Sequence, residues 1–207
     1  MGNPMEINIA VDDKASPKIH ALLAALQDMT EVHEHVANSA YVLVQDHLKR
    51  VAPSRHATAQ RLGATPTGHL EKAADDVGHR YDSREAVVEI VSEGIKRALG
   101  PLEIKPVNKR WLTIPADAES YGKSDGNNSG VAALRAEGWN IFRPRGRMFL
   151  AGTKGRGKAA KDTFKVLFWL KSQVTIPHDP GLLPEPDEIG AAVREGVKTW
   201  YLKKYGM

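Results

Sequence analysis

Residues 152–158 read G-T-K-G-R-G-K, the first seven positions of a phosphate-binding loop, G-x-x-x-x-G-K. That chemistry needs a strand leading in, backbone amides around the phosphates, a lysine on the β/γ-phosphates, a Ser or Thr hydroxyl on magnesium and a helix leading out. Here Ala159 stands where the hydroxyl belongs. The following T-F-K-V-L-F-W-L places aromatic and branched residues at period two, which predicts a strand. A strand–loop–strand context presents no helix N-terminus to a phosphate. The stretch therefore reads as a basic hairpin tip over 152–162, with glycines supplying the positive φ angles of a turn. Lys154, Arg156, Lys158 and Lys161 become candidate contacts for DNA or for a partner surface.

Other residue types with chemical potential are dispersed. His33-Glu34-His35 resembles a fragment of a zinc helix, but ligands on one helix face need a spacing of four, and a spacing of two points them apart. His20, His47, His56, His69, His79 and His178 are scattered, so solvated surface histidine is the expected role and no metal is assigned. The chain has no cysteine, which removes disulfides, thiolate metal sites and cysteine nucleophiles. There is no G-x-S-x-G, and the acidic pairs Asp75-Asp76 and Asp187-Glu188 fall on expected helix surfaces as solvating or capping groups. No catalytic residue and no cofactor follow from these patterns, and nothing argues for an enzyme.

Charge is more telling. The whole chain is formally +4, yet Trp139–Ser172 carries nine basic residues (Arg143, Arg145, Arg147, Lys154, Arg156, Lys158, Lys161, Lys165, Lys171) against Asp162 alone. That stretch is +8 and the remainder −4. Such a stripe suits nucleic acid or an acidic protein surface. Aromatic rings interleave with it, but strict alternation puts most of them on the core face, away from the lysines, so base stacking is not expected. Phosphate contact through 143–171 needs only charge and reach.

These residues must be positioned by a coarse architecture that periodicity supplies. The 207 residues suffice for one domain with a real core, and no apolar run approaches a membrane span; a soluble, intracellular protein is the expectation. Residues 5–11 alternate as a short strand. After Ser16-Pro17, apolar residues recur every three or four positions from Ile19 to Leu48, predicting a long amphipathic N-terminal helix with a break near Thr30, where Asp28 and Glu31 form a capping box. A short helix over 69–77 follows, then strands at 86–91, 102–104 and 110–115. The polar segment 117–130 reads as a long exposed loop. Strands around Trp139–Arg143 and Arg147–Ala151, one over 163–171 and a short one ending at Pro177 precede a C-terminal helix opened by Pro186, with acids at its start and lysines at its end. The fold class is α+β: one domain over 1–207, a mainly antiparallel β-sheet packed with a long N-terminal helix and a C-terminal helix.

With the elements in place, the order of three stretches resembles a known family. H-A-T-A-Q-R-L-G-A-T-P-T-G-H-L-E-K-A-A-D-D-V, then the segment from Gly94 to Lys123 containing L-T-I-P-A and Y-G-K, then F-K-V-L-F-W-L-K-S-Q-V-T-I-P-H-D-P-G-L-L-P-E-P-D-E-I are similar to virion-morphogenesis (tail-completion, head–tail joining) proteins of Mu-like bacteriophages. The resemblance runs from about His56 to the C-terminus and rests on patterns of fold without catalytic signatures. It implies a structural protein of the virion neck or tail end, present in the host cytoplasm during assembly. It further implies a homo-oligomeric ring around the DNA channel, in contact with neighbouring neck and tail proteins and with no membrane or cofactor. The 117–130 loop, with Tyr121, Lys123, Asn127 and Asn128, would then order against a neighbouring subunit, and the hairpin cations would face channel DNA or an adjoining ring. The alternative is a basic protein binding nucleic-acid phosphates non-specifically through the 143–171 stripe.

A nucleotide test separates the phosphate-loop reading from both. ATP or GTP with magnesium is expected to leave the thermal midpoint unchanged, and Lys158→Ala to change no nucleotide binding, as read by calorimetric titration.

Overall fold

The computed structural model of the chain describes residues 15–123, 130–155 and 162–206. The strand expected over 5–11 lies outside them. The fold is α+β, with long helices toward both ends of the chain and antiparallel sheet between them. Where the sequence reads as one domain, the described residues cluster into two compact units. One comprises 15–43, 78–89 and 185–206, the other 44–77 and 90–184.

In the first unit the expected N-terminal helix is two helices, α1 (Ser16–Gln27) and α2 (Thr30–Val51). The break falls near Thr30 as expected, but without the Asp28–Glu31 capping box, because the Glu31 carboxylate is taken by Trp200 and Lys204. Asp28 Oδ1 accepts from Thr30 N at 3.0 Å and from Thr30 Oγ1 at 2.6 Å, satisfying orphan donors at the start of α2. Strands β1 (Val77–Tyr81) and β2 (Ala86–Ile90) pair as a hairpin whose turn is fixed by Asp82 Oδ1 accepting from Arg84 N and Glu85 N. The C-terminal helix, α6 (Pro186–Tyr205), ends at Gly206 in the left-handed region, φ 65°. Trp200, Tyr201 and Tyr205 of α6 pack with Ala25 of α1, with Val32 and Val36 of α2, and with Met29 between the two helices. One glycine sets this packing. A Cβ on Gly196 would stand 2.8 Å from the His35 carbonyl oxygen and 2.9 Å from Val36 Cα, so α6 meets the α2 backbone directly.

The second unit contains α3 (Ala57–Leu62), α4 (His69–Asp75) and a 3-10 turn at Glu93–Ala98 around a core that includes Leu48, Leu70 and Ile95. Strand β3 (Leu102–Ile104) pairs antiparallel with β8 (Val174–Ile176). The main sheet has four antiparallel strands in the order β4-β7-β6-β5: β4 (Leu112–Pro115), β5 (Trp139–Phe142), β6 (Phe149–Lys154) and β7 (Lys165–Lys171). A short helix that periodicity did not announce, α5 (Gly130–Ala136), covers one face. Leu134 and Val131 pack there on Trp139, Ile141, Leu150, Leu167 and Phe168.

The β6–β7 ladder corrects the expected alternation. Leu150 pairs with Phe168, but Ala151 pairs with Val166, so Leu167 is an extra residue in β7. Phe164 and Val166 therefore lie on the opposite face from Phe168 and Leu170, although the spacing in sequence groups all four. Leu167 turns into the core above Gly152, where a Cβ would overlap Leu167 Cδ1 and stand 3.0 Å from Trp139 Cε3. The first glycine of G-T-K-G-R-G-K is thus a packing glycine in a strand, while Gly155 has the positive φ of a turn, 91°.

Gly152→Ala is expected to lose about 1–3 kcal/mol by overpacking against Leu167. Gly196→Ala should lose a similar amount or more, because its neighbours are backbone and outweigh the gain of roughly 1 kcal/mol in helix propensity. Midpoints of urea denaturation at constant slope read both.

Candidate interaction surfaces

Antiparallel pairing brings Lys154, at the end of β6, opposite Trp139, and the ammonium sits 5.9 Å from that ring's centroid. Thr163 closes the base of the hairpin: its hydroxyl accepts from Lys154 N and donates to Lys154 O, both at 2.7 Å. Arg156, Lys158 and Lys161 lie outside the described residues. The rest of the basic stripe divides. Lys165 is neutralised by Asp117 at 3.3 Å and Glu119 at 3.8 Å. Arg143 donates to the Arg147 carbonyl at 2.8 Å and lies 6.0 Å from the Trp111 ring, which Arg110 also approaches at 5.3 Å. Arg145, Arg147 and Lys171 are exposed cations along the same stripe.

The aromatic rings do not follow the expected segregation. Trp139 and Phe168 are buried, but Phe142, Phe164 and Trp169 are exposed, Trp169 at 46%. Phe142 and Trp169 alternate with the buried Ile141 and Phe168, and Phe164 joins their face through the extra residue, Leu167. Phe149 and Trp169 stand directly opposite each other on the face away from α5, with ring centroids 5.9 Å apart and edge to face. Phe142 and Phe164 form a second pair at 6.4 Å. An open depression of about 570 Å³ beside them is lined by Arg147, Met148, Phe149, Trp169 and Lys171. Aromatic rings and cations therefore share this face.

The 117–130 segment is partly built into the fold. Asp117 caps a 3-10 turn at Ala118–Ser120 by accepting from Glu119 N, and Ser120 is buried with its hydroxyl donating to the Leu167 carbonyl at 2.5 Å. Tyr121 is half-buried, and Lys123 is tied to Glu137 by an ion pair. Gly130 begins α5 with the Phe168 ring 3.0 Å from where its Cβ would be. Asn127 and Asn128 lie outside the described residues.

Two histidines depart from the surface role expected for them. His47 and His56 are buried. Arg50 donates to His47 Nδ1 at 3.0 Å, leaving the Nε2 hydrogen for the Gly181 carbonyl at 3.2 Å. His56 Nε2 donates to Glu71 Oε1 at 2.8 Å, and its ring meets His69 edge-on at 6.1 Å. Next to His56 in the chain, Arg55 grips Asp179 through two bonds, at 2.8 and 3.1 Å, and Arg97 approaches the same carboxylate at 3.6 Å. The His56–Glu71 bond holds the Glu71 carboxyl below its ordinary value of 4.5. Burial, with the Arg97 guanidinium and the His56 ring as neighbours, holds His69 below its ordinary 6.5. The groups bind one another and no nucleophile stands among them; they tie loops and short helices together. Sequence spacing could not reveal them, since Arg55 and Asp179 are 124 positions apart. Among the described residues no three His, Asp or Glu side chains come together as metal ligands.

The first unit contributes a different surface. On α1, Ile19, Leu22, Leu23 and Leu26 are all exposed, up to 60% for Leu26, and Ala25 is the buried residue of the helix. The spacing i, i+3, i+4, i+7 makes them one stripe. Beside the Gly196 crossing, α2 and α6 leave an open groove of about 480 Å³ lined by Ser39, Val42, Leu43, Ala192, Glu195 and Thr199. No helix among the described residues is long and apolar enough to cross a membrane.

No protein-family model, curated protein or solved structure matches this chain.

The depressed values of Glu71 and His69 have the same sign: the unfolded chain binds more protons than the folded one as pH falls through each ordinary value. Stability is expected to be full above about pH 6.5 and to decline with acidification, first through His69 and then through Glu71. His69→Gln should flatten the first part of that decline, as measured by urea denaturation between about pH 7.5 and pH 5.

Proposed function

We propose that the chain is a structural protein of a bacteriophage neck or tail end, a tail-completion or head–tail joining protein that assembles as a homo-oligomeric ring around the DNA channel. The observation that carries this reading is the apolar stripe of α1. A twelve-residue helix that leaves Ile19, Leu22, Leu23 and Leu26 in water needs a partner surface. The family resemblance from about His56 onward supports the same reading, and so does the α+β plan. In a ring each subunit contributes the contact twice, so modest area per interface suffices.

A second reading has its own observation. Arg145, Arg147 and Lys171 are exposed along the stripe that also presents Phe142, Phe164 and Trp169. That combination suits nucleic-acid contact, with phosphates on the cations and bases on the rings.

Light scattering at increasing concentration, with electron microscopy of virions, tests the first reading. A concentration-stable ring and a place in the particle are expected; a strict monomer absent from virions would refute it. For the second, Arg145, Arg147 and Lys171 are replaced by Ala and log affinity is measured against log salt. The slope is expected to become shallower by roughly 0.9 for each phosphate no longer neutralised. An unchanged slope removes that surface from consideration.

A further inference from the structure

We infer that the α1 stripe of one copy seats in the α2–α6 groove of the next, an inference that rests on the ring reading and names the surfaces that would close it. The knobs and the hole belong to the same chain but to different surfaces. Ile19, Leu22, Leu23 and Leu26 project from α1, whereas the groove is lined by α2 and α6. A contact between two unlike patches is heterologous, and repetition of a heterologous contact makes a ring when the rotation closes.

The groove has the form a third helix requires. Gly196 brings α6 onto the backbone of α2 at His35 and Val36, so the two helices are pinned at one point. Ser39 on α2 and Ala192 and Thr199 on α6 are short side chains that leave room beside the crossing. Val42, on the groove wall, is 51% exposed, an apolar residue with no cover of its own. A helix of twelve residues is about 18 Å long, and the stripe from Ile19 to Leu26 occupies about two of its three turns.

Charge selects this groove over the other open apolar surface. Between Ser16 and Gln27, α1 carries Lys18 and no acid. The aromatic face of the main sheet is rimmed by Arg143, Arg145, Arg147 and Lys171, which would repel Lys18. The groove carries Glu195 on its wall, ion-paired with Lys198 at 3.4 Å, and neither lysine nor arginine lines it, so Lys18 meets a carboxylate there without a rim of like charge. A paired α1–α1 contact would bring together two helices without a single carboxylate and leave Val42 uncovered.

The absence of native cysteine makes the test direct. Two differently tagged copies, one carrying Leu22→Cys and the other Val42→Cys, are co-expressed in full-length protein, purified as the assembly and oxidised. A disulfide between the two tags is expected, with neither copy linking to its own kind. Ala192→Phe, which fills the groove, should weaken self-association roughly tenfold or more while circular dichroism keeps its helical signal. Three outcomes overturn the inference. The first is linkage of Leu22→Cys copies to each other, which shows an α1–α1 contact. The second is linkage of Leu22→Cys to a Trp169→Cys copy, which shows docking on the sheet. The third is an assembled ring that gives no linkage and tolerates Ala192→Phe. All three concern which surfaces meet, and the ring reading is judged separately by the size of the wild-type assembly, since an α1–α1 contact by itself closes as a dimer. A wild-type chain that is monomeric at every concentration defeats the ring reading itself.

Discussion

The main sheet is organised by one extra residue in β7. Leu167 has no counterpart in β6, and its side chain turns into the core over Gly152. Its carbonyl accepts from Ala116 N at 2.9 Å, continuing the pairing of β7 with β4, and from the Ser120 hydroxyl. Three things depend on that. The core under α5 is closed by Leu167 and Phe168 together. The start of the 117–130 segment is anchored as a capped turn. Beyond the bulge, Phe164 and Val166 are transferred to the face where Trp169 and Phe149 also lie. A β-bulge is a local event, yet here it sorts the sheet into a packed face and an aromatic one.

The glycines of the basic motif gain their meaning from the same arrangement. Gly152 lacks a side chain because Leu167 and Trp139 occupy the space above it, and Gly155 lacks one because the chain turns there with positive φ. A phosphate loop would use its glycines to admit oxygens to backbone amides. In this chain one admits a leucine. The resemblance of seven letters to a nucleotide site is therefore accounted for by packing and turning, and Lys154 at its edge is occupied with the Trp139 ring.

The other unit depends on a second close approach, Gly196 against α2. It lets Trp200 reach the helix pair, where its indole donates to Glu31 at 3.4 Å and joins Tyr201 and Tyr205 in an aromatic cluster. Glu31 also holds Lys204, which keeps the Glu31 carboxyl below its ordinary value and raises the lysine above its own. The α2–α6 pair is thus closed on one flank by aromatic packing and open on the other, where Val42 is exposed. An element pinned on one side and uncovered on the other is suited to assembly, since burying the open flank needs no rearrangement of the pinned one.

What the sequence determined by itself is what local physics controls. The break between α1 and α2 follows from Asp28 and Thr30, near neighbours that satisfy a helix start. The strands from Leu102 to Ile176 follow from period-two patterns, and α6 follows from Pro186 and its flanking charges. Tertiary structure alone decided the rest. Helix α5 has too few residues for a periodic signal and is held by its contact with Phe168. The faces of β7 depend on a register shift that only the partner strand β6 defines. His47 and His56 are buried because groups from distant parts of the chain, Gly181 and Glu71 among them, come to meet them. The exposure of the α1 stripe was likewise invisible, since an amphipathic pattern announces an apolar face without naming what covers it. Spacing along the chain encodes which side chains share a face; burial is a property of what lies opposite, and that is set by the fold.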